Sequence, residues 1–255
     1  MHLDVIGAGP AYTDRPGATG ASYLVRLGDA SVLLDLGHGS FARLAATLDP
    51  ATLDAVVISH LHPDHFIDLV ALRHYLRWEQ PRRRVRVIAP AGLDARLDAL
   101  HDEPGFSAAS LDVEALREGT VRVAAFEIQA ARVTHTSSSF GFRVSEASSD
   151  GATPAGPGLV YSGDCGRAED LDVLARPGDT LLCEVSFGPG PVVPGAEHLD
   201  GPAVGELATR VGAGRVLLTH LQMGFDREAT IESVRARFDG PVELVDPGFQ
   251  TAISA

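Results

Sequence analysis

The segment His60-Leu61-His62-Pro63-Asp64-His65 places four side chains that can bind a metal within six residues. Imidazole nitrogens and carboxylate oxygens are the ligands that suit zinc and other borderline divalent metals. A short apolar run at 55–59, which predicts a buried strand, comes directly before the segment, and apolar residues at helical spacing follow it. On a tight loop between a strand and a helix, alternate side chains can point two ways, so this one segment can serve two metals.

Such a segment cannot close a metal site alone, so further ligands are expected at the ends of other strands. His135, Asp164 and His220 each follow an apolar, strand-like run. A single His or Asp at the end of a strand is usually a cap or a turn residue. Three of them in order behind the His-rich segment favour a shared metal site.

The rest of the chain mixes strands and helices. Gly28-Asp29 between two apolar runs predicts a hairpin, and helices are predicted over 66–79, 93–100, 204–211 and 227–238. Strands are predicted over 85–89, 121–133 (as one strand or two), 140–144, 159–162, 180–185, 216–219 and 242–245, with a Ser-, Gly- and Pro-rich loop over 145–158. This mixture predicts an α/β layered sandwich. Because no long linker interrupts it, we expect one domain over 1–255.

Two stretches of the chain, 54–60 and 214–220, resemble each other, since each reads as a buried strand that ends in a His. Two equivalent halves that meet at one site would produce this similarity. Coincidence would produce it as well, because buried strands look alike.

The composition excludes several functions. The chain has 255 residues, 45% hydrophobic and 22% charged, and no apolar run reaches the roughly 18 residues that a membrane span needs. All 21 basic residues are arginines, so Schiff-base and P-loop lysines are both absent. The formal net charge of −13 disfavours large nucleic acids as partners, because such binding relies on Lys and Arg.

Two cysteines, Cys165 and Cys183, cannot build a disulfide framework. The first residues lack the basic and apolar stretches of a signal peptide. We therefore expect a cytoplasmic protein without membrane association.

The sequence resembles the metallo-β-lactamase-fold hydrolases, whose signature is His-x-His-x-Asp-His followed by a His, an Asp and a His. It is most similar to their ribonuclease Z-like and cyclic-nucleotide phosphodiesterase branch. Tyr161-Ser162-Gly163-Asp164 resembles the Tyr-Ser-Gly-Asp-Thr block of that branch, with Cys165 in place of Thr, and Leu218-Thr219-His220 resembles its last ligand block. The resemblance implies an αβ/βα four-layer sandwich in which two mixed β-sheets are flanked by helices.

The resemblance also implies a role for each residue of the motif. It assigns His60, His62 and His135 to one metal ion, Asp64, His65 and His220 to a second, and Asp164 to a bridge between the two. Asp64 counts among the catalytic residues as well. Two divalent ions per chain are implied, with Zn²⁺ favoured and Mn²⁺ or Fe as alternatives.

Glu184 and His198 form the next candidate pair. Glu184 ends a buried strand, and His198 stands before a helix, 22 residues upstream of His220. In ribonuclease Z-like relatives a His at this point, paired with a Glu, is thought to protonate the leaving oxygen, and a His oriented by a carboxylate suits that role. The alternative is an ordinary His at a helix N-terminus and an ordinary Glu at a strand end.

Departures from the family pattern limit the class of substrate that we expect. Only 29 positions separate His135 from Asp164, too few for the long RNA-binding arm of ribonuclease Z. We therefore expect hydrolysis of a small anionic phosphodiester such as a 3',5'-cyclic nucleotide. The alternatives are a ribonuclease Z-like RNA phosphodiesterase, a lactonase or thioesterase acting on an acyl carbon, and a noncatalytic sensor. A homodimer is common among relatives, although no feature of this sequence points to one.

Three weaker features also have two interpretations each. His38, in a Gly-flanked loop, either lines the site or forms hydrogen bonds within its loop. The serines at 137–139 either donate to phosphate oxygens or stabilise a turn. The arginine cluster formed by Arg73, Arg77, Arg82, Arg83, Arg84 and Arg86 is either a solvated surface or a patch that attracts phosphate.

Overall fold

The computed structural model describes residues 1–101, 103–148 and 156–253. Its strands are β1 (His2–Gly7), β2 (Ser22–Leu27), β3 (Ala30–Leu34), β4 (Ala55–Val57), β5 (Val85–Ala89), β6 (Leu111–Ala115), β7 (Gly119–Val123), β8 (Phe126–Arg132), β9 (Phe140–Glu146), β10 (Leu159–Tyr161), β11 (Thr180–Glu184), β12 (Arg215–Thr219), β13 (Val242–Leu244) and β14 (Gln250–Ala252). Its α-helices are α1 (Phe41–Thr47), α2 (Pro63–Phe66), α3 (Leu69–Trp78), α4 (Leu93–Asp98), α5 (Gly201–Val211) and α6 (Arg227–Arg235).

The strands form two seven-stranded sheets, ordered β14-β1-β2-β3-β4-β5-β6 and β13-β12-β11-β10-β9-β8-β7. Both sheets are mixed. In the first sheet β3 to β6 are parallel neighbours, and in the second β10 to β13 are. Antiparallel pairs precede each parallel set along the chain.

Three apolar clusters hold four layers together. The inner faces of the two sheets pack on each other through residues such as Tyr23, Phe126 and Phe142. Leucines of α1, α3 and α4 pack on the outer face of the first sheet, and α5 and α6 cover the second sheet with residues such as Leu207 and Val234. The predicted four-layer α/β sandwich with two mixed sheets is confirmed.

Polar contacts fix the two sheets to each other at the edge where the parallel strands end. The Tyr23 hydroxyl lies 2.6 Å from Oγ1 of Thr219, the last residue of β12. The backbone N–H of Phe140 in the second sheet donates to the carbonyl oxygen of Ser59, just after β4 in the first, at 3.1 Å. The loops that follow β4 and β12 therefore lie at one shared edge.

Most predicted elements are present, and the differences have physical causes. The helix predicted over 66–79 is α3, which begins only at Leu69 and follows the separate short helix α2. The helix α5 begins at Gly201 because the Asp200 side chain accepts a hydrogen bond from the N–H of Ala203. The sequence did not predict α1, β6 and β14, which bury few of their side chains. Part of the loop predicted over 145–158 lies outside the described residues, and β9 extends through Glu146.

Three of the six arginines in the cluster have structural contacts. Arg84 pairs with Asp112 and Arg86 with Glu114, so part of its charge is neutralised. Arg73 is fully buried and donates to the carbonyl oxygen of Leu97 at 2.6 Å. Among the helices of the described residues, none has the length and apolar character to cross a membrane.

Arg143 and Asp179 form a buried ion pair with contacts of 2.7 and 2.9 Å between nitrogen and oxygen. Because breaking such a pair leaves an uncompensated charge, Arg143→Ala should lower the free energy of unfolding by about 3–5 kcal/mol. Arg84→Ala, which breaks the exposed pair with Asp112, should cost less than about 1 kcal/mol. Urea denaturation of both variants measures the difference, and equal losses would contradict it.

Candidate metal centre

The predicted site residues come together where strands of both sheets end. His60, His62, Asp64 and His65 lie on the loop after β4 and on the four-residue helix α2, which begins at Pro63. His135 follows β8, Asp164 follows β10, Glu184 ends β11 and His220 follows β12. The sequence folds this way because the apolar residues of each strand enter the core and leave the polar residue beyond the strand at the edge.

Four of these side chains form a first donor set, consisting of His60, His62, His135 and Asp164. Nε2 of His60 and Nε2 of His135 each lie 3.6 Å from Oδ2 of Asp164. Nδ1 of His62 lies 3.1 Å from Nε2 of His135. The four donor atoms therefore converge on one point.

A second donor set shares Asp164 and adds Asp64, His65 and His220. Its imidazoles face the other carboxylate oxygen, since Oδ1 of Asp164 lies 3.2 Å from Nε2 of His65 and 3.5 Å from Nε2 of His220. Oδ2 of Asp64 lies 3.2 Å from Nε2 of His220. Asp164 therefore presents one oxygen to each donor set.

Both donor sets fit divalent metal ions. Bonds of 2.0–2.1 Å to a tetrahedral ion place its ligand atoms about 3.3 Å apart, which is close to the spacings in both sets. Nε2 of His60 and Oδ1 of Asp164 are buried and have no hydrogen-bond partner. Buried polar atoms without a partner are costly, so an ion bonded to them explains why they are there.

Fixed partners hold the imidazole nitrogens that point away from the centre. Nδ1 of His60 lies 3.1 Å from the hydroxyl of Ser59, and Nδ1 of His135 donates to the carbonyl oxygen of Glu197 at 2.7 Å. A hydrogen bond at one ring nitrogen fixes the ring orientation and the tautomer, so that the other nitrogen can bind a metal.

Asp35 connects the first sheet to the site and was not predicted to have a role. Its fully buried carboxylate accepts from the backbone N–H and hydroxyl of Ser59 at 2.6 and 2.7 Å, from the Tyr161 hydroxyl at 2.7 Å and from Nδ1 of His65 at 2.7 Å. Its backbone is left-handed, with φ 58°. A single Asp after a buried strand is too common a pattern to indicate such a role.

The loop that follows β3 packs tightly against the backbone of α2. A Cβ at Gly37 would lie 1.9 Å from the carbonyl oxygen of Asp64. The N–H of Leu36 donates to the carbonyl oxygen of His65 at 2.8 Å. Glycine at position 37 is therefore needed for Asp64 and His65 to reach the site.

Glu184 and His198 form a pair beside the donor sets. Nδ1 of His198 donates to Oε1 of the fully buried Glu184 at 2.9 Å, and the N–H of Cys165 donates to the same oxygen at 2.9 Å. The His198 ring lies 4.7 Å from that of His135 and 6.1 Å from that of His220, measured between centroids. Burial lowers the pKa of His198, but the hydrogen bond and charge of Glu184 outweigh it and raise the pKa to about 9.

The charges of the centre depend on one another. Burial and the neighbouring His65 lower the pKa of His60 well below its usual value. Burial also lowers the pKa of His65, but the carboxylates of Asp164 and Asp35 outweigh it and hold that pKa well above its usual range. Burial raises the pKa of Asp164, but the imidazoles around it outweigh this and lower that pKa far more.

One side of the centre is open to solvent. His62 is exposed and His135 is half-buried, whereas His60, His65 and His220 are buried. The side chain of His198 is 18% exposed, so it lines the open side. Substrate can approach the donor sets from this face.

Ser139 and Cys165, near the donor sets, have structural contacts. The Ser139 hydroxyl accepts from the N–H of Thr136 at 3.1 Å, so that serine stabilises a turn. Cys165 is buried, and its thiol donates to the carbonyl oxygen of Arg167 at 3.1 Å. His38 is half-buried, on the loop that packs against the Asp64 backbone.

Residues 31–221 match the beta-lactamase superfamily domain. The chain therefore belongs to the beta-lactamase superfamily, and it is a metal-dependent hydrolase with the metallo-β-lactamase fold.

Relatives of similar length support this membership. An uncharacterized protein of Mycobacterium leprae, ML1173, is 33% identical over 241 residues, which cover 91% of this chain and 82% of the relative. The probable metallo-hydrolase YhfI of Bacillus subtilis is 25% identical over 252 residues and 98% of both chains. A ribonuclease Z of Bacillus velezensis is 26% identical over 247 residues, which cover 78% of this chain and 80% of that enzyme.

Solved structures share the fold. The crystal structure of Bacillus subtilis YhfI has a TM-score of 0.84 at 22% identity and covers 98% of both chains. The short form of human tRNase Z has a TM-score of 0.76 at 21% identity over the full length of both chains. Unliganded yeast PDE1 has a TM-score of 0.72 at 13% identity and covers 100% of this chain and 99% of that one.

The contacts of Asp35 predict a graded loss of stability. Tyr161→Phe removes one hydrogen bond to a charged group and should cost about 1.5–3 kcal/mol in the free energy of unfolding. Asp35→Asn keeps the shape of the side chain but replaces an accepting oxygen with a donor, so it should cost at least twice as much. Urea denaturation of the metal-free variants tests the order, and a smaller loss for Asp35→Asn than for Tyr161→Phe would refute it.

Proposed function

We propose that this chain is a dinuclear phosphodiesterase that hydrolyses a small phosphodiester such as a 3',5'-cyclic nucleotide. The observation that carries the proposal is the His198–Glu184 pair, which lies beside two donor sets that share Asp164. The pair suits a reaction in which a poor leaving group needs a proton.

The metal ligands in this proposal are the members of the two donor sets. The first ion would be held by His60, His62 and His135, the second by Asp64, His65 and His220, and Asp164 would bridge them. Zinc suits the imidazole and carboxylate donors. When bound, two such ions lower the pKa of a water molecule and stabilise the charge that develops on phosphoryl oxygens.

His198 acts on the leaving oxygen in this proposal. Its Nδ1–H is held by Glu184, so Nε2 is the nitrogen available to deliver a proton. The hydrogen bond and charge of Glu184 raise the pKa of His198 despite its burial, which favours the protonated ring that a general acid needs. An alkoxide of ribose leaves slowly without such a proton, which is why the pair favours a nucleotide ester.

Aromatic rings beside His198 support a substrate with a planar base. The Phe187 ring lies 6.3 Å from the His198 ring, and the Phe225 ring lies 6.1 Å from Phe187, measured between centroids. Both phenylalanines are half-buried, so each keeps some surface open. Bases bind to such rings by stacking.

Relatives support a phosphodiester as the bond that is cleaved. One relative with 26% identity is named a ribonuclease Z, and yeast PDE1 shares the fold. The net charge of −13 favours a small substrate over RNA.

The metal count provides the first test of the proposal. Protein purified without chelator should contain close to two zinc ions per chain by elemental analysis, because two donor sets share one bridge. Asp164→Ala should lower this number, whereas Asp94→Ala, an exposed carboxylate on α4, should leave it unchanged. A wild-type value near zero after supplementation with zinc, manganese or iron would refute the assignment.

The leaving group provides the second test. His198→Ala should lower kcat for cyclic AMP by about 10²- to 10⁴-fold, the usual contribution of a general acid. It should lower kcat much less for bis-p-nitrophenyl phosphate, because p-nitrophenolate leaves without a proton. The control is His62→Ala, which should impair both substrates.

An equal loss on both substrates with full metal content would show that His198 positions the phosphate instead. Parallel assays with a homoserine lactone and with RNA test the alternatives. Faster turnover of either one than of any small phosphodiester would refute the proposed substrate class.

A further inference from the structure

Ser186 lies between the candidate general acid pair and the second donor set. It is fully buried, two residues beyond Glu184 at the end of β11. Its hydroxyl donates to Oε2 of Glu184 and lies 3.1 Å from Nδ1 of His220 and 3.2 Å from Nδ1 of His198.

The single proton of the Ser186 hydroxyl determines which of its contacts donate and which accept. A serine hydroxyl has one proton to donate and two lone pairs to accept with. Its proton goes to the Glu184 carboxylate, because an ionised carboxylate only accepts. The hydroxyl oxygen therefore accepts the Nδ1–H of His220, and this hydrogen bond leaves the lone pair of His220 on Nε2.

Nε2 is the atom of His220 that faces the second donor set. It lies 3.2 Å from Oδ2 of Asp64 and 3.5 Å from Oδ1 of Asp164. The backbone of His220 is left-handed, with φ 59°, and its N–H donates to the carbonyl oxygen of Ala8 at 2.9 Å. Because the backbone is held in this conformation, the contact at Nδ1 fixes the remaining freedom of the ring.

We propose that Ser186 is a positioning residue that holds His220 in the tautomer and orientation required to bind the second metal ion. Glu184 then orients both the candidate general acid and a candidate metal ligand. One of its oxygens orients His198, and the other orients Ser186 and through it His220. This inference rests on the metal ligands of the proposed function.

The test is the affinity of each of the two metal sites. Zinc is titrated into chelator-treated protein in competition with a chromophoric chelator. Ser186→Ala should weaken one of the two zinc affinities about 10- to 100-fold, the usual effect of removing the partner of a metal-binding His, and leave the other within about threefold. Ser186→Thr, which keeps the hydroxyl, should restore the weakened affinity.

The control is Ser40→Ala, which removes another fully buried hydroxyl that donates to a backbone carbonyl at 2.9 Å. It should leave both zinc affinities unchanged. Thermal unfolding of the metal-free proteins measures any general loss of packing, and we expect similar Tm values for the two alanine variants. If Ser186→Ala does not fold, Ser186→Cys keeps the size with a weaker hydrogen bond and should shift the same affinity.

Each outcome separates this inference from the proposed function. Wild-type protein that binds fewer than two zinc ions would overturn the dinuclear assignment itself. Wild-type protein that binds two, with Ser186→Ala unchanged in both affinities, would overturn the role of Ser186 alone. Equal losses in the alanine and threonine variants would assign the effect to packing and would likewise overturn it.

Discussion

The carboxylate of Asp164 imposes the constraint on which the rest of the site depends. One of its oxygens faces His60 and His135, and the other faces His65 and His220. These imidazoles come from strands of two different sheets, so the arrangement exists only while both sheets end at the same edge. The packing of the inner sheet faces and the contact between Tyr23 and Thr219 maintain that alignment. The geometry of the centre therefore depends on the same packing that stabilises the sandwich.

The imidazoles are held by a layer of partners that neither approach the open face nor enter the donor sets. Asp35, Ser59 and Ser186 each contact the ring nitrogen that points away from the centre. Two of these partners, Asp35 and Ser59, also bond to each other, so a change in one alters the ring held by the other. Rings fixed in this way need little rearrangement when they bind a metal, and this layer is what allows a loop of only six residues to serve both sets.

The sequence allowed prediction of the layers and of the residues now found in the donor sets, because the segment from His60 to His65 is dense and the later residues follow apolar runs. Asp35 and Ser186 could not be predicted, since their contacts span 30 and 34 residues and arise only when neighbouring parallel strands pair, β3 with β4 and β11 with β12. The two similar stretches 54–60 and 214–220 do not occupy equivalent places in their sheets. β4 is the second of its four parallel strands, whereas β12 is the third of its own.

The two donor sets differ in their access to solvent, and this difference affects how metal would exchange. His62 is exposed and His135 half-buried, whereas Asp64, His65 and His220 are at most 5% exposed. The second set is more shielded from solvent than the first, so an ion held there should dissociate more slowly. The second donor set would then retain the metal ion bound when the chain folds. The first set would exchange its ion with whichever metal is available in solution. A single chain would then carry two different metals, one bound during folding and one exchanged later with the surrounding solution.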